Sequence, residues 1–216
     1  MNAIVVTDKQ WAIGRSGDLL FSLPGDMKHF RELTTGGTVI MGRKTLDSFP
    51  GGRPLPKRRN IVITRSPDFH REGCETVSTP EDALALAGDE ENVWLIGGGS
   101  IYAALLGRCR RASVTRVDST VSDADTFFPD LDALPNWKIE RTGEAITENG
   151  LTYRFVDYVN TQRVCRAEEL LRTSDKRISE IAQEVGVENS NYFSVMFRKM
   201  RGISPQEYRN QKKSRI

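Results

Sequence analysis

Apolar and polar positions follow two rhythms along the chain, and the change between them divides it. Residues 3–7 (AIVVT) are a short apolar run of the kind a buried strand carries. A glycine-punctuated loop over residues 8–23 follows. Pro24 then opens a helix to about residue 35, in the first-turn position that proline tolerates, and Gly36 and Gly37 close it. TVIMG (38–42) predicts a strand that runs into a short helix from Arg43. After the turn-rich FPGGRPLP come a strand at NIVIT (60–64), a helix near residues 80–87 and a strand at NVWLI (92–96). Gly97, Gly98 and Gly99 start a helix that ends near Gly107, and a strand spans 112–118. Two further strands, near 137–145 and 151–159, flank Glu148-Asn149-Gly150, a hairpin signal.

Strands alternating with helices and then a hairpin predict an α/β fold. Its mixed, mainly parallel sheet has flanking helices and an antiparallel end. After Asn160 the pattern is helical only. The expected organisation is therefore one domain over residues 1–160 and a small all-α domain over 161–216, without internal repeats.

Composition narrows the function classes. Of 216 residues, 38% are hydrophobic and 28% charged, which fits a folded globular chain rather than a disordered one. No apolar run nears the ~20 residues of a membrane span. The opening MNAIVVTDKQ reads as a strand and a polar turn, not a signal peptide. Cys74, Cys109 and Cys165 are odd in number and far apart, which reads as reduced thiols in a cytoplasmic protein. His29 and His70 are the only histidines, and neither they nor the cysteines have metal-ligand spacing, so no metal is expected. The net charge of +2 conceals an asymmetry: residues 1–160 carry 19 Lys+Arg and 22 Asp+Glu, residues 161–216 carry 12 and 7. A basic tail of this kind faces an anionic partner.

Candidate chemistry begins at LPGDMKHF (23–30). On a helix Asp26 and Phe30 share a face, which Leu33 extends. A carboxyl beside apolar side chains has a raised pKa and serves acid–base or binding work; an acid in the first turn also simply stabilises a helix. VIMGRKT (39–45) and IGGGSIY (96–102) are each a strand feeding a helix start, with Arg43, Lys44 and Thr45 on the first and three glycines on the second. Such starts attract phosphate, and two of them in one sheet suit a dinucleotide. Arg65, just after NIVIT, adds a charge for a further phosphate.

Taken in order, IG (13–14), LPGDMKHF, VIMGRKT, GRPLPKRRNIVITR (52–65), IGGGSIY and DTFFPD (125–130) resemble bacterial dihydrofolate reductase over residues 1–159. The resemblance implies reduction of dihydrofolate to tetrahydrofolate with NADPH. Asp26 matches the carboxylate that grips the pterin, and Thr115 the hydroxyl that joins it through water. Ile4, Val5, Met27, Phe30, Phe49, Leu55, Ile96 and Tyr102 match the apolar pocket; Arg58, with Arg31 near it, matches the arginine that holds the substrate's glutamate. The cofactor contacts implied are Val6, Ile13, Gly14, Leu19, Gly42, Arg43, Lys44, Thr45, Thr64, Arg65, Gly97, Gly98, Gly99, Ser100, Ile101 and Thr126, with residues 14–23 as a lid. Leu19 replaces a frequent methionine of that family, Leu20-Phe21 a Pro-Trp pair, and Ser100 an arginine of some members. Phe21 is still expected to cover the pocket.

The tail follows a different pattern. EIAQEVG (180–186) and NYFSVMFRKMRGISPQEYR (191–209) fit two amphipathic helices, behind a longer one at about 163–173. This resembles the C-terminal half of an AraC-type helix-turn-helix domain over about 163–211, one unit where such domains have two. The resemblance implies that Asn191, Ser194 and Arg198 face a DNA groove, with Lys199 and Arg201 near phosphates, and a single unit implies weak binding. Two functions compete: an active reductase with a helical tail, and a transcriptional regulator whose reductase-like domain senses folate or NADPH. The intact set of Asp26, Arg58, Thr115 and the glycines favours the first.

Overall fold

The computed structural model describes residues 1–88, 90–187 and 189–213. Strand β1 (Asn2–Thr7) is followed by β2 (Ala12–Arg15), β3 (Asp18–Leu19) and helix α1 (Pro24–Thr34). Next come β4 (Thr38–Gly42), α2 (Arg43–Asp47), β5 (Arg59–Ile63), β6 (Glu75–Val77) and α3 (Pro80–Ala87). These lead to β7 (Val93–Gly97), α4 (Gly99–Leu105), β8 (Arg111–Val117) and β9 (Thr126–Phe127), then β10 (Trp137–Thr142), β11 (Ile146–Glu148) and β12 (Leu151–Asn160). Helices α5 (Gln162–Thr173), α6 (Ile178–Glu184), α7 (Ser190–Arg201) and α8 (Pro205–Lys213) follow.

The main sheet runs β10-β12-β8-β1-β7-β4-β5-β6, with β11 against β12. From β8 to β6 every pair is parallel, and β12 is antiparallel to both β8 and β11. This is the mainly parallel sheet with an antiparallel end that the apolar pattern predicts. The central strands are buried almost end to end, Val39, Ile40 and Met41 completely so, as helix-covered parallel strands must be.

Three details differ from the sequence reading. Residues 8–23 are not one loop: β2 and β3 form a hairpin whose turn residues, Ser16 (φ 53°) and Gly17 (φ 90°), are both left-handed, the geometry that matches strand twist. Strands of four and two residues are too short to show a period. The hairpin at Asn149-Gly150 is flanked by β11 rather than by one strand over 137–145, because β10 stops at Thr142 and the Gly143 N–H turns to the Phe155 carbonyl at 2.8 Å. Strands β6 and β9, of three and two residues, leave no pattern in the sequence.

The chain divides into two compact units, Met1–Leu134 with Ile139–Val159, and Pro135–Lys138 with the chain from Asn160. The second unit has its own core, in which Val164, Leu171, Ile181, Ala182, Phe193 and Phe197 are buried. Asn189 caps α7, its Oδ1 accepting from the N–H groups of Asn191 and Tyr192 at 2.9 and 3.0 Å. Gly186 (φ 74°) and Gly202 (φ 79°) end α6 and α7 in the left-handed region.

Candidate active site

Helix α1 starts without a side-chain cap from Leu23. Instead the Gly25 N–H donates to Glu148 Oε2 at 3.0 Å, which ties the helix to the hairpin. A Cβ at Gly25 would lie 2.1 Å from the Tyr153 hydroxyl, so only glycine lets the helix come this close. That placement sets Asp26 over β8. The Thr115 hydroxyl donates directly to Asp26 Oδ1 at 2.6 Å. Burial pushes the Asp26 carboxyl above the usual carboxylate range, against the opposing pull of the Thr115 hydrogen bond and of His29.

One rung further along the same two elements, His29 Nε2 lies 3.1 Å from Ser113 Oγ, and Ser113 Oγ donates to Asp157 Oδ1 at 3.2 Å. Arg141 Nε completes the chain by donating to Asp157 Oδ2 at 2.9 Å, and the His29 ring lies against Phe155, tilted by 33° with centroids 4.2 Å apart. Sequence reasoning did not single out His29, Ser113, Asp157 or Glu148. The signal for the first two was present: three residues on from Asp26 is the same helix face, and two before Thr115 is the same strand face.

Beside Asp26, the expected apolar residues gather. Ile4, Phe30, Phe49, Leu55 and Ile96 belong to one cluster with Met41, Leu46 and Val62. Val5 is buried in β1. Tyr102 is fully enclosed and donates its hydroxyl to the Ile4 carbonyl at 2.6 Å, so it supports the pocket from beneath. Met27 is exposed. Arg58 lies over the Phe30 ring at 5.8 Å, with its Nε donating to Thr34 Oγ1 at 2.8 Å and Nη1 to the Pro56 carbonyl at 2.7 Å. Burial, and then the like charge of Arg31, lowers the Arg58 pKa.

The glycines and cations predicted for a dinucleotide come together by topology. Strands β7, β4 and β5 are neighbours, and their C-terminal ends carry Gly97 to Ser100, Arg43 to Thr45, and Thr64 with Arg65. In a parallel sheet this is the end where ligands bind. The backbones there are close: a Cβ at Gly98 would meet Thr45 Oγ1 at 3.2 Å, one at Gly99 would meet Thr126 Cγ2 at 2.9 Å, and one at Gly42 would meet Ile101 at 3.1 Å. The Gly97–Gly98 peptide is cis. Arg43 Nη1 donates to Ser66 Oγ at 3.1 Å, so the β4 and β5 ends meet there. Lys44 and Arg65 are exposed and in no ion pair among the described residues. Glycine approach plus uncommitted cations fits a phosphate-bearing cofactor. Val6, Ile13 and Gly14 are buried beside this edge of β1 and β2, whereas Leu19 is 63% exposed. Phe21 is buried with Val6, Leu23, Val117 and Tyr153.

In the second unit, α7 exposes Asn191, Tyr192, Val195, Arg198 and Lys199. Ser194 is half-buried and donates to the Ser190 carbonyl at 2.9 Å. Arg201 forks onto Glu168 at 2.5 and 2.8 Å, so it is committed within the unit.

Comparison with known proteins agrees with this arrangement. A family profile described as dihydrofolate reductase matches residues 1–160, and one described as a helix-turn-helix domain matches 140–211. A dihydrofolate reductase of Mycobacterium tuberculosis is 44% identical over 150 residues, 68% of this chain and 89% of that protein. One of Bacillus subtilis is 36% identical over 157 residues, covering 72% and 91%. The solved structure of dihydrofolate reductase from Enterococcus faecalis complexed with NADP(H) and RAB-propyl superposes with a TM-score of 0.67 at 33% identity, over 74% of this chain and 95% of that one. Among the described residues no helix is long and apolar enough to cross a membrane.

Proposed function

The chain belongs to the dihydrofolate reductase family, and from that premise we infer that it reduces 7,8-dihydrofolate to 5,6,7,8-tetrahydrofolate with NADPH, in the cytoplasm. The observation that carries the reading is the Asp26–Thr115 pair at the mouth of the apolar cluster. A half-buried carboxyl held by one hydroxyl keeps its second oxygen for a ligand. It suits the ring N–H and amino group of a pterin, which present two donors side by side. Ile4, Phe30, Phe49, Leu55 and Ile96 exclude water from the rings, and Arg58 takes the glutamate carboxylate in the fork geometry that arginine favours.

Bound NADPH supplies the hydride. The protein's part is orientation, which is worth several kcal/mol when reacting atoms are held near contact distance. Asp26 fixes and polarises the pterin from its far edge, and burial raises its pKa against the pull of the Thr115 hydrogen bond. Arg43, Lys44 and Arg65 supply charge for phosphates, and Gly97, Gly98 and Gly99 the room for close approach. The tail, as a lone helix-turn-helix unit, makes weak contact with DNA through α7. The test is spectrophotometric: purified chain with NADPH and dihydrofolate loses cofactor absorbance only when both are present. Turnover absent in the chain with Asp26 intact, while both ligands still bind, refutes the reductase reading and leaves the sensor.

A further inference from the structure

The side chains linked to His29 fix the state of its ring. Arg141 holds Asp157 Oδ2 through both Nε and Nη2, at 2.9 and 2.8 Å, which leaves Oδ1 to accept from the Ser113 hydroxyl at 3.2 Å. A serine has one proton to give, and Ser113 gives it to Asp157. Its Oγ therefore accepts from His29 Nε2 at 3.1 Å. Neutral His29 thus carries its proton on Nε2, and Nδ1 is the nitrogen that gains one in acid. The order is not that of a hydrolytic nucleophile, because the serine proton points to the carboxylate and not to the imidazole.

Charged groups face this ring from three elements. Asp26 and Glu32 lie on α1, Asp157 on β12 and Arg141 on β10. Strand β8 contributes the buried Ser113, and the Phe155 ring lies against one side. Glu32 is exposed and shared with Lys28 at 3.8 Å, and Arg141 is committed to Asp157. Burial works against a charged ring, and Asp26 is the strongest of the charges that favour one. Asp26 stands three residues back on the same helix face, a spacing that puts Cβ atoms about 5–6 Å apart, and it is half-buried like His29 itself. Charges at that spacing in a partly dry site feel each other more than a solvated pair does.

We propose that His29 is a positioning residue for Asp26: the Arg141–Asp157–Ser113 chain holds its ring one helical turn from the carboxyl, where the charge it takes on in acid keeps Asp26 ionised and able to grip the substrate. The inference rests on the reading of Asp26 as the group that holds the pterin. A protonated Asp26 would present a donor where the pterin also presents donors, so substrate binding weakens as the carboxyl takes up a proton. A cationic His29 delays that point to lower pH. The coupling is reciprocal: ionised Asp26 raises the titration midpoint of His29 by the same amount.

The experiment has two arms, both on the full-length chain. His29 and His70 are the only histidines, so NMR follows two imidazoles, and H70Q assigns them. In D26N the His29 midpoint should fall by about 0.5–1 pH unit while His70 stays put, and the neutral His29 ring should show the Nε2–H tautomer. The second arm measures KM for dihydrofolate from about pH 5 to 8, the range in which a histidine changes charge. In H29Q the rise of KM toward acid should begin about 0.5–1 pH unit higher than in the parent, the same shift by linkage, with kcat less affected than KM. High salt should shrink both shifts. A His29 midpoint that D26N leaves unmoved overturns the proposal, and so does an H29Q profile that superimposes on the parent's. A neutral ring protonated on Nδ1 also overturns it, because Ser113 and Asp157 would then not orient His29. The D26N titration decides even if H29Q misfolds. The NMR arm needs no turnover, so a parent chain without activity would remove the reductase reading as a separate outcome.

Discussion

The hydroxyl of Thr115, on β8, donates to Asp26 Oδ1, on α1, at 2.6 Å. This bond joins the helix to the sheet at a carboxyl that is only partly buried. It also sets the chemistry, because burial raises the Asp26 pKa while the hydrogen bond resists that rise. A second rung, His29 to Ser113, repeats the connection three residues on along the helix and two back along the strand.

Asp26→Asn should lose about 10²- to 10⁴-fold in turnover at neutral pH, the range typical of an acid–base group, and still bind NADPH. Activity should partly return in acid, where the substrate arrives protonated. The fold should gain stability at neutral pH. With the folded pKa above the ordinary 3.8, the native state holds a proton that the unfolded chain releases, so stability falls as pH rises through that window and stays reduced above it. The asparagine removes that loss and can still accept from Thr115. Thermal unfolding at acid and neutral pH checks the sign, and a variant less stable than the parent at both would contradict it.

His29 should show the opposite pH signature. Burial lowers its pKa from the ordinary 6.5, against the pull of Asp26, Asp157 and Glu32 and with the help of Arg141. Between the folded value and 6.5 the unfolded chain binds more protons, so stability rises with pH there. His29→Gln, which can keep a hydrogen bond to Ser113, should flatten the pH dependence of Tm below 6.5 and change kcat by less than about 3-fold. A variant with the parent's slope would show that His29 does not titrate in this environment.

The fold was legible because its central strands are short apolar runs bounded by glycine and proline, as at TVIMG and VWLIG. Boundaries failed where the cause is tertiary. β10 ends at Thr142 because of a contact between Gly143 and Phe155, and β3 and β9 have two residues each. At the candidate site, Asp26, Thr115 and the glycine set lie in recognisable motifs. The Ser113–Asp157 link and the grip of Glu148 on Gly25 join residues 44 and 123 positions apart, which no local pattern encodes.

Arg43 and Arg65 should select NADPH over NADH. They stand at the adjacent ends of β4 and β5, where Arg43 already meets Ser66. A hydrogen bond to a charged group contributes about 1.5–3 kcal/mol, so replacing both by alanine should raise KM for NADPH by about tenfold or more and leave NADH nearly unchanged. Steady-state kinetics with each cofactor measures this; equal losses for both would assign these arginines another role.

A chain ending at Asn160 should fold and reduce dihydrofolate, because every proposed pocket residue lies before that point. It should be slightly less stable than one ending at Thr161. The Thr161 N–H and hydroxyl donate to the Asn136 carbonyl at 2.6 and 2.9 Å, and Thr161 is buried. Net hydrogen bonds contribute about 0.5–1.5 kcal/mol each, which denaturant titration of the two truncations resolves. An insoluble or inactive product in both cases would show that the tail is part of the enzyme's fold.

The tail itself should bind DNA weakly and with strong salt dependence. Helix α7 packs Phe193 and Phe197 into its own core and turns Asn191, Tyr192, Val195 and Arg198 outward, which is recognition-helix character. Val195, 67% exposed, is an apolar contact of the kind a thymine methyl accepts. Ser194 is half-buried and bonded to Ser190, and Arg201 is paired with Glu168, so the usable contacts are fewer than the sequence alone offers. A lone unit that meets about three to five phosphates should lose affinity with a slope of ~0.9 per phosphate in log salt, from a Kd near 10⁻⁴–10⁻⁶ M at physiological salt, on the order of other nonspecific binding. Fluorescence anisotropy on random duplex DNA, with the full chain against one ending at Asn160, measures both quantities. Identical behaviour of the two at low salt would reduce the tail to a structural appendage. Selection of one sequence by more than about 10³-fold would instead require a second half-site, and with it a dimer.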